Sequence, residues 1–147
     1  MENKITNMQK YENYRMQMGR LSRAIKAEFY LEAIFIEYAV MEDRLESILV
    51  HSGKFNPEKH NTMDKKLRKV EEISREKKAL AHKYFSAELI QSIYSWKNSR
   101  NDLIHALMKQ NLVTDELKAV ALSGRDIVKA LNTKSTAFNK ANDRKNE

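Results

Sequence analysis

Three glycines and one proline in 147 residues leave this chain few places to turn sharply. A sandwich or barrel of short strands asks for a turn signal roughly every 8–12 positions. Apolar residues instead recur in steps of three and four, as in Met8, Tyr11, Tyr14, Met18, Leu21 and Ile25, which is the helical period. Scarce breakers and this spacing predict an all-α chain, an up-and-down bundle of about five helices, in a single domain over residues 1–147. No internal repeat, low-complexity block or strand alternation interrupts the pattern.

The expected helices cover residues 7–27, 28–51, 62–84, 86–110 and 114–139. Residues 52–58 break the pattern, with Gly53 as a helix stop and Pro57 blocking continuation. Asn61 or Thr62 is the expected cap of the third helix and Ser86 that of the fourth, with Glu88 in its first turn. Thr114 is the expected cap of the fifth. Gly19 and Gly124 are weak points inside the first and fifth helices. The polar residues 139–147 are expected to fray.

Composition removes whole classes of chemistry. The chain has no cysteine, which excludes a disulfide scaffold, an iron–sulfur cluster, thiolate zinc and thiol catalysis. Its opening residues are polar with no apolar run behind them, and residues 29–40 are interrupted by Glu32 and Glu37. That reads as no signal peptide and no membrane span, hence a cytoplasmic protein. The net charge is +7. Residues 26–53 hold six acidic and two basic side chains, and residues 54–85 ten basic and five acidic. Such a pattern can steer a polyanion, though mixed charges on an outer helix are ordinarily a solvated face.

The fourth helix carries the informative charge. At about 100° per residue, Leu89, Ile93, Trp96, Leu103, Ile104 and Leu107 form one apolar arc, and Arg100 falls in its middle. A guanidinium cannot shed its charge, so it needs partners or a wet cleft. On the second helix the same construction groups Leu31, Ile34, Phe35, Tyr38, Leu45 and Leu49, and places Glu42 inside that arc. Opposite charges on two core helices predict a contact between Glu42 and Arg100. A structural pair fixing helix register is the plain alternative. A second, polar stripe on the fourth helix holds Tyr94, Asn98, Asn101 and His105. Asn101 and His105 are one turn apart, so their side chains can meet. Together these groups offer a phosphate clamp, a proton-transfer imidazole and orienting amides.

Arg100-Asn101-Asp102-Leu103-Ile104-His105 resembles the signature of the HEPN superfamily: Arg, four to six residues, then His, with a polar residue directly after the Arg. The resemblance implies an all-α bundle with a composite site at a homodimer interface built on the Arg100–His105 helix. It implies a metal-independent endoribonuclease with Arg100 and His105 catalytic and Asn101, Asp102, Glu42 and Asn98 supporting, with no cofactor. RNA would be the substrate and an antitoxin or regulatory protein a further partner, in a toxin, phage-defence or RNA-processing role. Some relatives have lost catalysis, so a non-catalytic HEPN-like module binding RNA or a partner protein is the alternative. In members paired with a nucleotidyltransferase antitoxin, a modified Tyr commonly follows the His by two positions; here that position is Leu107. Arg100 and His105 lie about 140° apart around one helix, which favours a site shared between two chains.

Other residues carry less. His51 and His60 flank the Gly53–Pro57 turn near Glu58 but lack a recognisable metal-ligand pattern, and no metal site is expected. His82 reads as a surface residue. Tyr11, Tyr14, Tyr30, Phe35 and Tyr38 fall at helical spacings and read as core, as does Trp96. No Gly-rich phosphate loop, G-x-S-x-G turn or H-E-x-x-H helix occurs. A DNA-binding regulator would need a short recognition helix after a tight turn, and none is evident.

Overall fold

The computed structural model describes residues 6–109 and 114–147, which form six helices with no strand among them. They are α1 (Asn7–Lys26), α2 (Tyr30–His51), α3 (Met63–Ser74), α4 (Leu80–Tyr84), α5 (Ala87–Ala106) and α6 (Thr114–Lys145). The all-α bundle read from the sequence is the fold found. None of the described helices is long and apolar enough to cross a membrane.

Local chemistry sets most boundaries. Thr6 and Gln9 form a capping box at the start of α1, which satisfies two otherwise orphaned backbone donors. Thr62 accepts from the Lys65 amide and Ser86 from the Leu89 amide, starting α3 and α5. At the end of α2 the Lys54 amide reaches back to Leu49 and the Gly53 amide to Val50, with Gly53 at φ 70°. The end of α1 repeats this geometry, Phe29 to Ala24 and Glu28 to Ile25. There the left-handed residue is Glu28 (φ 63°), so no glycine marked the turn.

The third segment divides in two. Ser74 Oγ donates back to the Val70 carbonyl at 2.6 Å, and His82 Nδ1 donates to the Ser74 carbonyl at 2.8 Å. The second bond occupies the carbonyl that a continuing helix would use, and the Ser74 back-bond is of the kind that bends helices; α3 stops at Ser74 and α4 resumes at Leu80. The expected end of the fourth helix at Gln110 lies outside the described residues, and its last described helical residue is Ala106. α6 runs through Gly124 without a break and past residue 139 to Lys145. Its end does not fray, because Asn142 Nδ2 donates to the His51 carbonyl at 2.5 Å and Asp143 meets His51 Nδ1 at 3.0 Å.

α2 is the central helix, packed by α1, α3 and α6. It runs in the same direction as α6: Glu37 lies against Gly124, Ser47 against Asn139 and His51 against Asp143. α5 runs opposite to α6, with Phe85 against Phe138 and Trp96 Nε1 donating to the Val120 carbonyl at 2.9 Å. The core joins Met41, Leu45 and Ile48 of α2 to Leu67 of α3, Ile93 of α5 and Leu131 of α6, all essentially inaccessible to solvent.

At Gly124 of α6 the side chains of Glu37 from α2 and Trp96 from α5 approach the backbone closely. A Cβ there would sit 2.6 Å from Trp96 Nε1 and would overlap Glu37 Oε1. Alanine is about 1 kcal/mol better than glycine in a helix interior, but overpacking a tight core costs typically 1–3 kcal/mol. Gly124→Ala is therefore expected to destabilise the protein, seen as a lower urea midpoint. An unchanged or raised midpoint would show that the contact yields freely.

Candidate functional site

The first three turns of α5 bury Ile90, Ile93 and Trp96. Burial then falls away along the same arc. Leu103 is half-buried, Ile104 and Leu107 are exposed, and Met108 is 92% exposed. The arc therefore outruns the partners the bundle supplies, and Arg100 stands where covered gives way to uncovered. On α2, Phe35 is 70% exposed and Leu31 is also exposed. Both lie on the side of α2 that carries Tyr38, three and seven residues away.

Arg100 is half-buried. Its guanidinium carbon lies 4.1 Å from the centre of the Tyr38 ring, and its Nη1 donates to Asn101 Oδ1 at 3.0 Å. Its Nε is buried without a partner among the described residues. Tyr38 thus covers one face of the guanidinium by a cation–π contact, worth about 0.5–2 kcal/mol. The fork is held in position without being neutralised, and it keeps donors for an acceptor such as a phosphate.

Glu42 is not that acceptor. The contact expected between Glu42 and Arg100 is replaced by Glu42 with Lys66 of α3, at 2.8 Å, and Glu46 joins the same ammonium at 3.4 Å. The Lys66 ammonium is buried, which works against its charge, yet hydrogen bonds and attraction from the two carboxylates hold its pKa above the ordinary value. The physical reason is the orientation of α2. Its buried face is centred on Ala33, Glu37, Met41 and Ile48, not on Leu31 and Phe35, so Glu42 lies at an edge facing α3.

Asn98, Asp102 and His105 are exposed. Among the described residues none of the three makes a side-chain hydrogen bond or ion pair, and Asn101 turns to Arg100 rather than to His105. His105 lies about 7.5 Å further along the helix than Arg100 by the rise per residue and on another side of it. One protomer brings Arg100, Tyr38 and Asn101 together and leaves His105 apart. Of the other residues weighed, His51 binds Asp143, His60 Nδ1 accepts from the Asn56 amide at 2.9 Å, and His82 holds the end of α3. Trp96 is core as expected. Phe35 is exposed, and Tyr38 is half-buried against Arg100.

The residue most displaced from expectation is Glu37. It is 0% exposed, and neither carboxyl oxygen has a hydrogen-bond partner among the described residues. Burial pushes its pKa up to about 9, against the pull of the Arg125 cation and with a further push from Asp126. The acid is therefore neutral at pH 7, enclosed by α2, Trp96 and Gly124 one residue from Tyr38. A helical wheel of large apolar residues places Glu37 outside the core. Its one sequence signal is the run Tyr30, Ala33, Glu37, Val40, Ile48 at helical spacing, which is visible only if alanine is counted as a core residue.

No known protein family, curated protein or solved structure matches this chain.

Glu37 generates a pH prediction. In the unfolded chain a glutamate ionises near pH 4.5; in the fold it keeps its proton to about pH 9. Between these values the unfolded state binds fewer protons, so stability falls as pH rises, by at most about 1.4 kcal/mol per pH unit. Glu37→Gln is expected to abolish this slope and to raise the urea midpoint at pH 8 more than at pH 5. Equal gains at both values would show that Glu37 titrates normally.

Proposed function

We propose that this chain is a metal-independent endoribonuclease of the HEPN type that acts as a homodimer through the C-terminal half of α5. The observation that carries the reading is the state of Arg100: permanently charged, half-buried, stacked on Tyr38, and without an ion-pair partner among the described residues. A guanidinium kept un-neutralised on a helix that also presents an exposed imidazole suits an anionic substrate better than a register-fixing pair would. The uncovered residues Ile104, Leu107 and Met108 beside it offer the apolar surface that a second copy would bury. That second copy also answers the separation of Arg100 from His105.

In this mechanism Arg100 binds a non-bridging phosphate oxygen of RNA and stabilises the added charge of the pentacoordinate transition state. His105 of one chain takes the proton of the ribose 2′-OH, whose oxygen attacks the adjacent phosphorus. The bond from phosphorus to the 5′-oxygen breaks, and the leaving oxygen takes a proton from His105 of the partner subunit. The products are a 2′,3′-cyclic phosphate and a 5′-hydroxyl. DNA lacks the attacking hydroxyl and is not cut by this route. Asn101 positions Arg100 in this scheme. Toxin, defence and RNA-processing roles are all compatible with the chemistry.

The second reading is a non-catalytic module binding RNA or a partner protein. It is favoured by one observation: no side chain among the described residues fixes the His105 imidazole.

Cleavage of mixed RNA in EDTA separates the two. Wild type is expected to leave cyclic phosphate ends, and Arg100→Ala and His105→Ala to fall by about 10²-fold or more. An Ile104→Glu, Met108→Glu chain is expected to be folded, monomeric and inactive. Failure of wild type to cut, or equal cutting by every variant, overturns the enzyme reading. RNA binding that survives His105→Ala then supports the module.

A further inference from the structure

A second recess lies away from Arg100, where the N-terminal half of α1 meets the C-terminal halves of α2 and α6. It is a cleft of about 460 Å³, within the range of small-molecule sites, roughly 300–1,000 Å³. Its level on α2 is that of Ser47, about 13 Å along the helix from Tyr38.

Three separate helices bring cations to it: Lys10 from α1, Arg44 from α2 and Lys140 from α6. Arg44 is partly spent, because Asp43 accepts from its Nη2 at 2.5 Å and its guanidinium carbon lies 5.9 Å from the Tyr14 ring centre. Lys10 and Lys140 have no ion-pair partner among the described residues. The carboxylate lining the cleft, Asp143, is held by His51. The recess therefore keeps a surplus of positive charge.

Its wall is aromatic. Tyr11 and Tyr14 lie one turn apart on α1, and Tyr11 is 61% exposed. Its inner side is polar where a helix seam would ordinarily be apolar. Asn139, only 9% exposed, donates from Nδ2 to Ser47 Oγ at 3.1 Å, while its Oδ1 has no partner. Burying an unpaired amide oxygen costs stability, and an aliphatic residue would avoid that cost.

We propose that this cleft binds a small phosphorylated ring compound. The phosphate dianion sits between the Lys10 and Lys140 ammonium groups with Arg44 behind it. The ring lies against Tyr11, with the buried Asn139–Ser47 pair forming the polar floor beneath it. Two sources carry this chemistry, a nucleoside monophosphate and an aryl phosphate that is not a nucleotide. None of these residues belongs to α5, so the site stands or falls separately from the ribonuclease reading.

Calorimetric titration of the full chain tests it, with AMP, phenyl phosphate, adenosine and inorganic phosphate as probes. At least one of the first two is expected to bind about tenfold or more tightly than either of the last two. A preference of similar size for AMP over phenyl phosphate identifies a nucleotide site, and comparable affinities an aryl phosphate site. Tyr11→Ala, and Lys10→Ser with Lys140→Ser, alter exposed positions. They are expected to weaken binding about fivefold or more with an unchanged thermal midpoint, while Arg100→Ala leaves binding intact. The proposal is overturned if neither phosphate binds up to about 5 mM, if the Tyr11 and lysine variants bind like wild type, or if Arg100→Ala abolishes binding.

Discussion

The enclosure of Glu37 by Trp96 and Gly124 sets the positions of α2, α5 and α6 relative to one another. A glycine on α6 opens the space, a carboxyl from α2 fills it, and the indole of α5 closes it while giving its N–H to the Val120 carbonyl. The carboxyl tolerates this place because it is neutral there, its pKa pushed up to about 9 by burial. Ionised, it would carry a buried charge with neither oxygen bonded, a state that proteins avoid. Tyr38 follows Glu37 directly and Arg100 follows Trp96 by one turn, so the packing of α2 and α5 against α6 around Gly124 also brings the Arg100 guanidinium over the Tyr38 ring. The geometry of Arg100 is thus inherited from the core beneath it.

Much of the fold was legible because helix starts are written in local hydrogen-bond chemistry. Thr62 and Ser86 cap as their side chains suggest, and Gly53 ends α2. The division of the third helix was not legible, because residues 75–79 hold no breaker and the stop is made by Ser74 with a histidine eight positions on. The turn at Glu28 was hidden for a similar reason, since a residue with a side chain takes the left-handed conformation there. Persistence of α6 to Lys145 depends on Asn142 and Asp143 meeting the distant end of α2, a contact no local pattern reveals.

The site was half legible. Arg100 was identifiable as a charge among apolar neighbours, but its partner was misassigned. A wheel weighted by large side chains aims α2 at Leu31 and Phe35, whereas a helix with three neighbours buries small and polar residues as well. Ala33, Glu37 and Ser47 occupy that seam, and Glu42 is left to Lys66. Tyr38 looked like core because its ring is apolar; the ring lies against a cation instead.

The uncovered end of α5 sits on a chain of net charge +7, and for the dimeric ribonuclease proposed above this would set two opposite dependences on ionic strength. Two copies meeting through Ile104, Leu107 and Met108 would bring like charges together, so added salt would screen their repulsion and tighten self-association. A polyanion held by the same molecule loses its advantage of released counterions as salt rises. In that proposed enzyme, pairing of copies and capture of a phosphate chain would therefore favour different salt concentrations.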